Sequence, residues 1–160
     1  MYDNIIYYYY IFYIGSYEAG VISGLADYLD PVKRQWHIVT GTSAGALNTF
    51  GLSMFSIGEE RAGADYLKDK WSTLSADHVY ELWPIQKGGL FRYPRALFQG
   101  LVKHSGIYNT APEEASLHTI IDEKRILNSD RALYVGATDL SSGLYTVFNK
   151  TKDRLVVVIK

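Results

Sequence analysis

The sequence predicts an α/β sandwich built around a largely parallel sheet. Three observations carry this expectation. Short apolar runs alternate with longer segments of helical period, the pattern of β-α-β units. Apolar residues make up 48% of the 160-residue chain, enough to fill one core. A glycine-flanked serine, Ser43, stands where one such run gives way to a helical segment.

The elements follow in chain order. IIYYYYIFYI, Ile5–Ile14, is rich in aromatic and β-branched residues and reads as a buried first strand. It is far shorter than the ~20 apolar residues that a bilayer span needs. It also lacks the basic start and small-residue cleavage site of a signal peptide. Free of charge and proline, the run would be a cross-β hazard if exposed, which gives it an assembly role as a second reading. Gly15 and Ser16 end this strand. EAGVISGLADYLD, Glu18–Asp30, places Val21, Ile22, Leu25 and Leu29 at helical spacing, and Pro31 stops it. WHIVT, Trp36–Thr40, is a short strand. SAGALNTFGLSMFS, Ser43–Ser56, reads as a mostly buried helix, and EERAGADYLKDKWSTL, Glu59–Leu74, as a more exposed one.

Ser75–Asn109 is broken by Pro84, Pro94 and the Gly88-Gly89 pair. The apolar residues of Leu82–Leu101 suggest short helices, either ordinary packing over the sheet or a cover for an apolar ligand. APEEASLHTII, Ala111–Ile121, is a helix with Pro112 in its first turn. RALYVGATDL, Arg131–Leu140, is a strand, Ser141–Gly143 a turn and LYTVFN its hairpin partner. RLVVVIK, Arg154–Lys160, is a last strand. A natural α/β domain would continue from it into another helix, so 1–160 is expected to be a single domain, incomplete at its C-terminal end.

Composition excludes several function classes. The formal net charge is -1 and the sixteen basic residues are scattered, so nothing points to nucleic acid or to an anionic membrane surface. The chain has no cysteine, hence no disulfide, thiolate metal site or cysteine nucleophile. His37, His78, His104 and His118 are far apart and form no metal-ligand spacing. No metal and no organic cofactor are expected.

Gly41-Thr42-Ser43-Ala44-Gly45 matches the nucleophile-elbow pattern Gly-x-Ser-x-Gly. In that geometry a serine sits on a cramped strand-to-helix bend with its hydroxyl exposed. The flanking glycines let strand and helix approach closely. The helix N-terminus presents free N–H groups and a partial positive charge, and the amide of Ala44 is an oxyanion donor. The alternative is a glycine-rich turn in which Ser43 merely caps the following helix.

GTSAGALN resembles the nucleophile motif of patatin-like phospholipases. GSYEAGVISGLADYLD, Gly15–Asp30, resembles that family's first helix. SGIYNTAPEEASLHTIID, Ser105–Asp122, resembles the segment before its central strands, and LYVGATDLSSGLYTVFN, Leu133–Asn149, the strand and hairpin that follow. The resemblance covers most of Gly15–Asn149 in the family's order. It implies a three-layer α/β/α domain that hydrolyses lipid acyl esters with a serine–aspartate dyad, through an acyl-enzyme and without histidine. It implies Ser43 as nucleophile, Gly15 and Ala44 as oxyanion donors, and a lipid or acyl-ester substrate. The expected place is the cytoplasm or a membrane periphery.

Two family features are not reproduced. Of the glycine-rich loop Gly-x-Gly-x-x-Gly, only Gly15 is present in Tyr10–Gly15. The Asp-Gly-Gly or Asp-Gly-Ala triplet that carries the catalytic aspartate does not occur, so no general base is assigned within the chain. Asp139 in GATDL reads as a turn or capping residue. Asp77 with His104 or His118 has the chain order of a hydrolase triad and nothing more. The chain is therefore expected to be part of a patatin-like enzyme, or an inactive relative that binds lipid or a partner.

Overall fold

The computed structural model describes residues 3–75, 78, 111–150 and 155–159. The chain divides into two units, Met1–Thr73 with Ile121–Lys160, and Leu74–Ile120.

The first unit begins with helix α1, Asp3–Tyr28, 26 residues in length. The strand expected over Ile5–Ile14 is thus the first half of a helix. An apolar run without polar–apolar alternation does not distinguish a strand from a buried helix. The helical cost of Tyr and Ile is only a few tenths of a kcal/mol, ~0.4–0.6 relative to Ala, so the periodic segment beyond residue 18 can propagate backwards through it. Gly15 does not break the run. It lets α1 approach the third helix, because a Cβ at this position would overlap the Trp71 ring. The helix ends before Asp30-Pro31, as the residue ahead of proline disfavours helical backbone. The Asp30 carboxylate then accepts the Val32 N–H at 2.9 Å.

Strand β1, Ile38–Thr42, leads directly into α2, Ala44–Ser53, which is followed by α3, Glu60–Thr73. After the second unit the chain returns through α5, Glu123–Asn128, capped by the Asp122 side chain. It continues into β2, Ala132–Thr138, β3, Tyr145–Lys150, and β4, Leu155–Ile159. The result is a mixed α/β unit with a small open sheet in the order β1-β2-β3-β4.

That sheet is mixed rather than largely parallel. β1 runs parallel to β2, with Gly41 beside Val135, whereas β2–β3 and β3–β4 are antiparallel. The reason is connection length. Parallel neighbours need a crossover of a dozen or more residues, and a tight turn can join only antiparallel ones. The β2–β3 turn is closed by Gly143, at φ 70, whose N–H reaches the Asp139 carbonyl at 2.8 Å.

The core gathers Ala19 of α1, Val39 of β1, Leu52 of α2, Leu67 of α3, Ile126 of α5 and Leu133 of β2. α2 is its hub, in contact with β1, β2, α1 and α3. A fully buried ion pair ties the edge of this core together. Arg131 Nη2 donates to Glu60 Oε1 at 3.1 Å, and the guanidinium also donates to the carbonyls of Trp36, Phe55 and Ser56.

In the second unit, α4 spans Ala111–Ile120. Ser116 Oγ donates to the His78 carbonyl at 2.7 Å.

Candidate active site at the bend between β1 and α2

Ser43 is the single residue between β1 and α2. Its backbone stands at φ 56, ψ -127, and among the described residues it is the only non-glycine with positive φ. Such a conformation costs ~1–3 kcal/mol and persists only where the surroundings enforce it. The enforcement is visible. A Cβ on Gly41 would overlap the carbonyl of Gly45, so strand and helix cross in direct backbone contact. Thr42 pairs with Gly136 of β2, where an added Cβ would come within 2.8 Å of Thr42 Oγ1. Gly45 is under less demand, because a Cβ there would meet Glu18 Oε2 at an ordinary 3.4 Å.

Helix capping does not account for this geometry. A capping serine has extended backbone and accepts an N–H from the first turn through its side chain. Ser43 has neither: its side chain makes no capping hydrogen bond, and it is the Ser43 carbonyl that accepts the Ala46 N–H, at 2.9 Å. The residue is exposed. Ala44 is buried as the first residue of α2, and its amide, at the very start of the helix, has no preceding turn to accept it. The first turn carries no acidic residue of its own, and the Glu18 carboxylate of α1 stands beside Gly45 at the positive end of the helix dipole.

Gly15 does not fill the role expected of it. It lies in the interior of α1, where its N–H belongs to the helical ladder, so it is not available as an oxyanion donor. Its carbonyl instead accepts from Asn48 Nδ2 at 3.0 Å. Asn48 also donates to Glu18 Oε2 at 3.0 Å and accepts the Trp71 indole N–H at 2.6 Å. This network escaped the sequence reading. Its one signal is a lone amide in a helix of small and apolar residues, which must find partners if buried.

A groove of about 700 Å³ runs between α1 and the outer edge of β1 up to the bend. Tyr17, Val21, Leu25 and Ile38 give it apolar walls, Glu18 is its charged member, and Gly41, Thr42 and Gly45 also line it.

The other candidates fall elsewhere. Asp139 sits in the β2–β3 turn, accepting the hydroxyls of Ser141 and Ser142 at 2.6 Å each. Those bonds, with the Ser141 amide, hold its carboxyl at about 2. His37 Nδ1 bonds the Gln35 carbonyl on the surface, and His118 lies on α4 in the second unit. Asp77, His104 and Leu82–Leu101 lie outside the described residues. Among the described residues no group of three or more His, Cys, Asp or Glu could hold a metal ion, and no helix is long and apolar enough to cross a membrane.

Comparison with protein-family models, with curated proteins and with solved structures returns no match.

Proposed function

We propose that this chain is a patatin-like acyl hydrolase, or a part of one, with Ser43 as its nucleophile. One observation carries the reading: an exposed serine held at φ 56, ψ -127 on a strand-to-helix bend, with no capping bond to offset the strain. On this reading the mixed α/β unit belongs to a three-layer α/β/α domain.

The chemistry follows from the bend. Ser43 Oγ attacks the carbonyl carbon of an acyl ester while a base removes its proton. The carbonyl oxygen becomes an oxyanion that the Ala44 N–H stabilises. The C–O bond to the leaving alcohol breaks, the alcohol takes a proton, and the acyl-serine ester is then hydrolysed by water. No residue of the chain is assigned as the base. The substrate class is lipid, and the apolar walls of the groove beside the bend support it. Exposed Tyr17, Val21, Leu25 and Tyr28 support contact with a membrane periphery.

A second reading is a catalytically inactive lipid-binding or interaction protein of the same fold. It is favoured by the helical setting of Gly15, which removes the loop donors an active enzyme of this kind would use. A fluorophosphonate ester separates the two. The enzyme reading expects covalent labelling that Ser43→Ala abolishes. Folded protein that never labels ends the enzyme reading, and binding of lipid vesicles undiminished by Ser43→Ala then supports the inactive one.

A further inference from the structure

Asn48 is 3% exposed and is the first side chain of α2 able to hydrogen-bond, since Ala44, Gly45, Ala46 and Leu47 precede it. Its hydrogen bonds reach across two helices. Both Nδ2 hydrogens go to α1, at the Gly15 carbonyl and Glu18 Oε2, and Oδ1 takes the Trp71 N–H of α3. We propose that Asn48 is a positioning residue for Ser43, fixing the start of α2 so that the bend cannot relax. The inference rests on the nucleophile reading of Ser43.

The chemistry of the pocket specifies an amide. The side chain at 48 faces two acceptors, the Gly15 carbonyl and the Glu18 carboxylate, and one donor, the Trp71 N–H. No other side chain of this size supplies two donors and one acceptor. The strain at Ser43 supplies the reason for holding α2. A residue at φ 56 returns free energy if the helix behind it shifts, so a rigid attachment must oppose that shift. The first turn, made of small residues, offers no polar anchor of its own. Asn48, just over one turn beyond the serine, is where the attachment is made.

The test is the rate at which the full chain is labelled at Ser43 by a fluorophosphonate ester, read beside the indole N–H proton resonance of Trp71. Asn48→Asp keeps the size but sets a carboxylate against the Gly15 carbonyl and Glu18. It is expected to slow labelling by roughly tenfold or more, as small misplacements of a reacting atom do, and to shift the Trp71 resonance. Glu18→Ala removes one acceptor and slows labelling, and Glu18→Gln, whose amide oxygen can still accept, restores it. A folded Asn48→Asp protein that labels at the unmodified rate overturns the proposal. Should Asn48→Asp fail to fold, the Glu18 pair decides: unslowed labelling of Glu18→Ala overturns the proposal, and rescue by Glu18→Gln upholds it. A parent chain that never labels ends the nucleophile reading and this inference together, whereas a labelling parent with indifferent variants ends this inference alone.

Discussion

Ser43 occupies backbone space that glycine enters freely, and that cost can be measured without any substrate. Replacing it by glycine removes ~1–3 kcal/mol of strain, partly offset by the ~0.5–1 kcal/mol of extra freedom that glycine has when unfolded. Ser43→Gly is therefore expected to stabilise by about 1 kcal/mol, raising Tm by roughly 2–4 °C for a chain of this size while eliminating labelling. A lowered Tm in a calorimetric scan would mean that a contact of the Ser43 side chain outweighs the strain. The two flanking glycines should behave differently. Gly41→Ala forces a Cβ into the Gly45 carbonyl, a backbone atom that cannot rotate away, and should cost about 1–3 kcal/mol. Gly45→Ala meets only Glu18 at 3.4 Å and should cost little, both variants being read by urea titration. Equal costs at the two positions would contradict the close crossing of strand and helix. At this scale the bend was legible because its conformational demand is written in residue types: two glycines and a serine at fixed spacing. The Asn48 network was not, because its partners at Gly15, Glu18 and Trp71 lie 23 to 33 residues away.

Elements were legible where a period or a punctuating residue marked them. Glu59–Leu74 predicted α3, and Ser141–Gly143 predicted the hairpin, since a turn between two apolar runs has few alternatives. The Tyr-rich run carried composition without period, and the structure makes it helix. α5, with six residues, is too short to show a period at all. What joins the elements was hidden as well, most clearly the pair of Glu60 and Arg131, whose side chains are both 0% exposed. Burial acts to raise the Glu60 carboxyl, but backbone N–H groups at Glu60, Gly58 and Trp36 and the Arg131 guanidinium together hold it below its ordinary 4.5. A carboxyl lowered in the folded state stabilises fully above the unfolded value and ceases to do so as pH falls through the folded one. Folding stability should therefore drop below about pH 4.5, and Glu60→Gln should flatten that part of the profile. The same substitution leaves Arg131 buried without a counter-charge, at a cost of about 3–5 kcal/mol near neutral pH. Urea titrations of both proteins between pH 3 and pH 7 read both effects. A parallel acid slope in the variant would place the lability elsewhere, for instance at Asp139.

At the scale of the whole molecule, the outer face of α1 and the β1 edge are one place where apolar surface remains in water, and the β2–β3 hairpin with Leu140, Leu144 and Tyr145 is another. Ile14, Tyr17, Val21, Leu25 and Tyr28 recur at three- and four-residue intervals and so share one side of the helix, opposite buried Ala19, Ser23 and Ala26. Tyr17 is 73% and Tyr28 91% exposed, and Ile38 on β1 is 65% exposed. The strand beside that stripe is the first of the sheet order, so its outer edge has no strand neighbour among the described residues, and open edges invite pairing. A formal charge of -1 offers little repulsion to keep copies apart. Concentration-dependent association is the expected behaviour in buffer. The double substitution Val21→Lys, Leu25→Glu puts charge on exposed positions 45% and 42% open to solvent, so it should leave stability within about 0.5 kcal/mol of the parent. In sedimentation at matched concentration it should shift the protein toward smaller species, and it should weaken binding to phosphatidylcholine vesicles if the stripe meets lipid. Identical sedimentation of parent and variant would clear the stripe of responsibility and leave the β1 edge. A substitution there that keeps the strand but adds charge, Ile38→Lys, would then be the one to reduce association.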